Sequence, residues 1–593
     1  MAFAEFVAAR GDLNTLDQLT ACSLFNKVFV ANGTIHRVLD FQNVKITYGN
    51  LSSTSYGPWT ATSATATTIT VSGQAGNYAD DAMNGMYLYV SGGTGTGEYA
   101  YITDFNGTTA TFTFGGLSGG TVPDATTAFS VYRKQLPVYG DVLTGATSGA
   151  RLVVDFITKA AGPGTLYCKK LDTTAVQSGE LLVGTSTVSW NSSLGDISFA
   201  TTSTETAGPH WYEWTSYGDD PYVFGELPDS FYLVAPYSSR LFIAGSSDEP
   251  NQWWASKCSN PWMYAIEVNN DLSANYGLAG NLGEAGDLIR ALIPVKDDRI
   301  LLGCANSIRA IVGNPSPYAG GEMNEVDLTH GIWGAKSWCY DGSGSLYYIS
   351  PVGGLCKMNM VLYTTEVITS ATLPKLLSTL NPATHRIELA YESTLEGIWI
   401  TITDLVNATG SAYFYSIVTG GLFLVVLQDE NAVYSAVSFV ANDPTKRGVL
   451  FGCRDGYVRE FKATAKSDDV GSTDAAISAS VALPVMALSK VDEEGRMRSI
   501  TLSTGGGEAS GTYTDTDAVT ISIYTGDDAE EVAEKIRDAE TPDVTGTVTG
   551  AGRQLRFRSR ARGRYAGIVL SNDAADSSFA INKVVADLEG GEE

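Results

Sequence analysis

Cations are scarce in this sequence: 38 Lys and Arg stand against 65 Asp and Glu, a formal net charge of −27. Tight wrapping of nucleic acid takes cationic surface, so the chain as a whole is set against that class. The acidity also keeps a large protein soluble. Cysteine is sparse. The seven (Cys22, Cys168, Cys258, Cys304, Cys339, Cys356 and Cys453) are odd in number and form no C-x-x-C pair. They read as reduced core residues of a protein assembled in a reducing cytoplasm. Only four histidines occur (His36, His210, His330 and His385), far apart and without metal-ligand spacing, so no zinc or triad arrangement is expected. Long apolar runs are missing as well. The longest, "GGLFLVVL" at Gly420 to Leu427, is too short to cross a bilayer. The start, "MAFAEFVAARGDLNTLDQL", lacks a basic n-region and a cleavable apolar core, so neither a signal peptide nor a membrane segment is expected.

What is present is globular: 44% hydrophobic and only 17% charged residues. At 593 residues the chain exceeds one ordinary core, and two to four domains are expected. The 63 glycines, with Thr, Ser, Val and Tyr crowding the strand-like stretches, favour short strands joined by tight turns. One phrase recurs: an apolar strand, a turn residue, then a second alternating strand. It stands at Lys27 ("KVFVANGTIHRVLDF"), Arg240 ("RLFIAG"), Arg299 ("RILLGCANSIRAIVG"), Ser345 ("SLYYISPVGGLCKMN"), Gly397 ("GIWITITD") and Gly448 ("GVLFGCRDGYVREFK"). From Arg240 onward the spacing is 46 to 59 residues, one four-stranded blade per repeat. The expected fold is mostly β: a β-propeller of about six blades, closed by an N-terminal hairpin that pairs beside the final blade. A pair of packed sandwiches is the competing arrangement.

Four regions follow. Residues 1–57 hold an N-terminal segment, with a candidate helix over Phe3 to Leu19, and the closing hairpin. Residues 58–205 are inserted Thr/Ser/Gly-rich β modules of barrel or sandwich type, with turns at Asn84-Gly85 and Asn106-Gly107. Residues 206–465 form the propeller. A polar linker, "ATAKSDDVGSTDAA", then leads to a β-rich C-terminal domain, 475–593, with one helix in "DDAEEVAEKIRDAE".

"SGGTGTGEYAYITDFNGTTATFTF" followed by "VPDATTAFSVY" resembles a small β module repeated across bacteriophage structural proteins, and "TGATSGARLVV…GTLY…SGELLVG" resembles a second. The propeller half is similar to the tail nozzle (tail tubular or hub) proteins of short-tailed phages. There "SSRLFIAGSSDEPNQWWAS" (Ser238 to Ser256) follows the family's phrase, and "SIRAIVGNPSPYAGG…LTHGIWGAKSW…GSLYYISPVGGL" its next blades. Together these cover about two thirds of the chain; the Thr/Ser-rich insertion is a departure. The resemblance implies a non-enzymatic virion structural protein in a ring of six at the distal tail, assembled in the bacterial host cytoplasm. Double-stranded DNA would be retained in the ring and then ejected through it without tight binding. Its implied partners are copies of itself, an adaptor above, fibres or a needle around it, and the host cell surface. A glycan-binding or depolymerising tail protein, or a head-to-tail adaptor ring, is the alternative.

No catalytic, cofactor-binding or metal residues are assigned. "GGTGTG" at Gly92 to Gly97 precedes a strand, not a helix, and reads as a hairpin turn. The Asp-rich stretches around Asp515 and Asp517 and at 467–474 lack the Gly and terminal Glu of a calcium loop. Asp248 and Glu249 beside Trp253 and Trp254 are the best enzymatic candidate, since glycan cleavage uses paired carboxylates near aromatics; the competing reading is a blade turn with a Trp anchor. In "RQLRFRSRARGRY", Arg556, Arg558, Arg560, Arg562 and Arg564 share parity, so a strand puts them on one face with Leu555 and Phe557 opposite.

Overall fold

The computed structural model describes residues 19–589 except 50–54, 85, 133–136, 160–162, 185–196, 220, 278–281, 297, 371–372, 428–432, 444–446, 463–464, 471–472, 490–492, 505–517, 549–554 and 578–579. The candidate helix over Phe3 to Leu19 lies outside these except for its last residue, and Asp515 and Asp517 lie outside entirely. The described chain is almost all β, built of many small antiparallel sheets. It divides into two compact units, Met1–Ala335 with Ile349–Thr379, and Lys336–Tyr348 with Leu380–Glu593.

Every copy of the recurring phrase becomes the second strand of its sheet or hairpin. In the first unit these are Lys27–Ala31, Arg240–Ala244 and Arg299–Cys304, and in the second Gly397–Asp404 and Gly448–Cys453; the remaining copy is Leu346–Ser350, which the division between the units crosses after Tyr348. The second blade runs Leu233–Tyr237, Arg240–Ala244, Trp253–Ala255 and Asn275–Tyr276 in sequence order. The third follows the same meander with Ile289–Lys296, Arg299–Cys304, Ile308–Val312 and Glu322–Asp327. In the second unit, His385–Glu392, Gly397–Asp404, Thr409–Ser416 and Leu422–Val425 repeat the plan, and Val433–Phe439, Gly448–Cys453 and Val458–Glu460 repeat it with three strands. These last two sheets pack through Trp399, whose ring lies 5.3 Å from that of Phe451. Four of the second strands, at Arg240–Ala244, Arg299–Cys304, Leu346–Ser350 and Gly397–Asp404, are buried on both faces almost without a break, which is why they read as unbroken apolar runs, whereas Lys27–Ala31 and Gly448–Cys453 alternate.

The N-terminal hairpin forms the middle of a complete sheet: Thr20–Leu24, Lys27–Ala31, His36–Asp40 and then His210–Glu213. The sequence suggested that it would add to the last blade. Instead its fourth strand is supplied from beyond the insertion, with His210 opposite Asp40. The insertion therefore leaves the first blade between its third and fourth strands. Its six-stranded sheet already begins at Val44–Tyr48, which pairs with Gly164–Lys170.

The first inserted module is a seven-stranded sheet over Ser55 to Tyr132. In a flat sheet Phe112 and Phe129, three strands removed, would stand about 14 Å apart. Their rings are 5.4 Å apart, so the sheet curls around its own core. The segment "KSDDVGSTDAA", read as linker, instead contains a hairpin, Ser467–Val470 with Thr473–Ala476.

The C-terminal domain is a two-layer sandwich. Gly495–Thr504, Leu555–Gly563 and Ile581–Glu589 form one sheet; the other includes Val519–Gly526, Val544–Val548 and Tyr565–Asn572. Met497, Ile500 and Leu502 meet Ile521, Ile523 and Ile568 between them. The helix forms at Ala529–Arg537, started by the Asp528 carboxylate accepting from Glu530 N at 2.7 Å. It lies on the outer face of the second sheet, where Gly567 leaves room: a Cβ there would come within 2.5 Å of Ile536 and 3.0 Å of Val532.

A buried polar cluster joins the insertion to the first blade. Lys27 Nζ pairs with Asp155, and Asp40 lies 3.9 Å away. Asn43 Nδ2 donates to Asp40 at 2.7 Å and also to Asp155, Tyr212 OH donates to Asp40 at 3.1 Å, and Trp262 Nε1 donates to Asp155 at 3.2 Å. Lys27→Met removes the only cation of this cluster and leaves its carboxylates buried, so it is expected to cost about 3–5 kcal/mol. Adding Asp155→Leu should recover part of that loss. The unfolding midpoint in urea, followed by Trp fluorescence, checks both.

Candidate functional site

The carboxylate–tryptophan turn is divided by its packing. Asp248 and Glu249 are exposed on the turn before the third strand of the second blade. Trp253 is fully buried, stacked on Phe242 at 5.5 Å, and donates its Nε1–H to Gly283 O at 3.1 Å. It sits in a core shared by the second and third blades, with Leu233, Ile289 and Ile300. Trp254 points to the opposite face of its strand and is buried in the core that joins the first and second blades to the insertion. Neither ring is presented to a ligand beside the two carboxylates, so the aromatic half of the motif anchors one blade to another.

The arginine of the second-blade phrase is likewise internal. Arg240, 1% exposed, donates to the carbonyls of Ser256 (2.9 Å), Leu272 (3.1 Å), Ser273 (2.6 Å) and Asp271 (3.3 Å), and to Asn314 Oδ1 (3.1 Å). Burial lowers its pKa from the ordinary arginine value. The five oxygens lie on the loops that follow the third strands of the second and third blades, so one guanidinium gathers both.

The residues of the two module motifs are turn fasteners. Asp124 accepts from Thr126 N at 2.7 Å and from Thr94 Oγ1 at 2.8 Å, pinning the Gly-rich hairpin to the "PDAT" segment. Gly93 is at φ +76° there, and a Cβ on it would lie 1.9 Å from Thr126 O. That is a packed hairpin turn, with no helix following it. In the second module Glu180 accepts from Ser148 N and Ser148 Oγ, both at 2.9 Å, and from Gln177 N at 2.5 Å. Burial alone would raise its pKa, but these donors outweigh it and hold the carboxyl below its usual value.

The four histidines stay apart. His36 stacks on Phe231 at 3.8 Å and donates to its carbonyl at 3.0 Å. His210 lies 3.2 Å from Thr206 O, His330 pairs with Asp327 at 3.0 Å, and His385 with Asp404 at 3.7 Å. Burial lowers the pKa of both His36 and His210. Among the described residues no group of three His, Cys, Asp or Glu side chains could hold a metal. Asp469 and Asp474 are backbone partners in the register of the Ser467–Ala476 hairpin. Among the described residues no disulfide joins the seven cysteines, and all but Cys258 are buried.

One exposed constellation remains. On the Leu555–Gly563 strand Arg556, Arg558, Arg560 and Arg562 are exposed, alternating with Phe557, Ser559 and Ala561, which turn inward. Arg564 is exposed in the turn beyond the strand, and the side chain of Leu555 lies outside the described set. Arg496 and Arg498 on the neighbouring strand extend the face, with Arg496 directly opposite Arg562. Its acids are Asp587, 3.6 Å from Arg556, and Glu589, 2.7 Å from Arg498 Nε. Among the described residues Arg558, Arg560 and Arg562 have no ion-pair partner. Sequence parity located this face; Arg496 and Arg498 were missed because they lie some sixty residues away along the chain. The Lys27 cluster left no sequence signal at all.

No protein-family model matches the chain, and no curated protein matches it. Among solved structures it is similar to a quinoprotein alcohol dehydrogenase-like protein of Bacteroides thetaiotaomicron (10% identity, 70% of this chain and 67% of that one, TM-score 0.24). It is also similar to the extracellular domain of a hybrid two-component system of B. thetaiotaomicron (8% identity, 96% and 86%, TM-score 0.24). A third is PorZ, a surface component of the type-IX secretion system of Porphyromonas gingivalis (10% identity, 96% and 86%, TM-score 0.24). At these scores the likenesses bear on neither activity nor partners.

Arg240→Met takes the guanidinium away from the buried residues Ser256 and Ser273 and from three part-buried acceptors, and is expected to cost about 3 kcal/mol. Asp248→Ala should stay within about 0.5 kcal/mol of the parent; denaturant titration distinguishes the two. The histidines set a pH dependence. Because the folded pKa of His36 and His210 lies below the unfolded value of about 6.5, the unfolded chain binds more protons below that pH. Stability is therefore full above pH ~6.5 and falls as pH drops toward the folded pKa values. A His36→Gln/His210→Gln variant should flatten the slope of urea midpoint against pH between about 7 and 5.5.

Proposed function

We propose that this chain is a virion structural protein of a short-tailed phage, one copy of a six-membered ring at the tail through which genomic DNA is held and then ejected. The observation that carries the reading is the use made of its motif residues. Arg240 and Trp253 of the blade phrase, and Asp124 and Glu180 of the two modules, all fasten backbone segments or blades together. A protein whose motif residues go into fastening its own backbone suits a load-bearing assembly part. The net charge of −27 supports the conduit: an acidic wall repels the duplex over the roughly 8–10 Å Debye length of physiological salt and gives phosphates nothing to hold. The glycan-cleaving alternative gains nothing from the Asp248–Glu249 turn, whose neighbouring tryptophans are buried.

Native mass measurement of the purified chain should give six copies, and the protein should be found in purified tails. It should also fail to retain duplex DNA on a gel at physiological salt. A monomer absent from virions, a trimer releasing oligosaccharide from host polysaccharide, or tight duplex binding would each sink the reading.

A further inference from the structure

The C-terminal domain is electrically two-sided. The outer face of its three-stranded sheet presents Arg496, Arg498, Arg556, Arg558, Arg560 and Arg562, with Lys583 at the far strand, against two acids, Asp587 and Glu589. The other sheet is covered on its outside by the Ala529–Arg537 helix, where Asp527, Asp528, Glu530, Glu531, Glu534 and Asp538 are exposed. The bases on this helix are occupied locally: Lys535 pairs with Glu531 at 2.7 Å, and Arg537 with Asp538 at 2.9 Å and Glu534 at 3.5 Å. Val532 and Ile536 fix the helix's inner side against Gly567. Glu530, Glu534 and Asp538, at i, i+4 and i+8, therefore form a stripe on the side turned away from the sheet.

The two faces match in spacing as well as sign. Alternate residues of a strand stand about 6.6 Å apart, and i, i+4 residues of a helix rise about 6 Å. Arg558, Arg560 and Arg562 can thus meet Glu530, Glu534 and Asp538 in step. The faces lie on opposite layers of one domain and cannot meet within a single copy.

We infer that the arginine face of one copy docks on the acidic helix of the next, a head-to-tail contact of the kind that closes into rings. The occupant is a second copy of this chain. The inference deepens the ring reading and rests on its self-association. Duplex DNA is the less favoured occupant, because the whole chain is strongly acidic and would repel it.

The test is a charge swap in the full chain, read by native mass and sedimentation at low and at about 1 M salt. Arg558→Glu/Arg560→Glu and Glu530→Arg/Glu534→Arg should each weaken self-association on the order of a hundredfold at low salt. An equimolar mixture of the two variants should regain it, since every face then meets its opposite; regain also shows that both variants are folded. Either variant assembling normally at low salt overturns the inference and leaves the ring standing. Loss in both without regain in the mixture overturns the pairing of these two faces. Loss only of duplex retention, with assembly intact, overturns it in favour of nucleic acid. A parent chain that stays monomeric at every salt concentration removes the ring reading itself, and the contact with it.

Discussion

A lysine buried between two aspartates decides how this protein is put together. Lys27 comes from the second strand of the first blade, Asp40 from the third, and Asp155 from the middle of the inserted sheet. Ions in such a place are tolerable only when paired and hydrogen-bonded. Asn43, Tyr212 and Trp262 complete the bonding, and they come from the entry to the insertion, the returning strand and the loop between the third and fourth strands of the second blade. The cluster can form only when all these segments are in place. Around it Phe156 stacks on Trp262 at 4.2 Å and Tyr167 on Tyr212 at 3.9 Å, so insertion and blade share one aromatic core.

The same economy runs through the blades. An arginine at the start of a blade strand would in isolation suggest a ligand, and a tryptophan pair beside two carboxylates would suggest a sugar. Their burial settles their use: the guanidinium of Arg240 gathers loop carbonyls, and the indole of Trp253 fills the space between blades. Removal of the indole from water contributes a few kcal/mol, whereas burial of the guanidinium costs free energy that its hydrogen bonds to the loop carbonyls offset.

Charge is the counterpart of this packing. The acids are spread along the chain, whereas the exposed arginines of the C-terminal sheet are gathered on adjacent strands. Like charges held that close, Arg496 opposite Arg562, repel one another. That repulsion eases when anionic groups approach, which is what the proposed contact between copies would supply.

The sequence by itself determined the β class, the blade period, the parity of the arginine strand and the helix at 529–537. Each rests on neighbours in the chain: a period of two for strands, caps and i, i+4 spacing for the helix, turn residues between strands. The folded chain decided what depends on distant partners. The N-terminal hairpin could be seen as a blade fragment, but its completing strand came from His210, across the whole insertion. The edge of the insertion moved to Val44 because Gly164–Lys170 offered it hydrogen bonds. The linker after Lys462 folded as a hairpin, since two polar runs around a turn can pair as well as apolar ones. The buried Lys27 cluster had no local signature, because a lysine and two aspartates scattered through a sequence look like solvated surface until tertiary packing takes their water away.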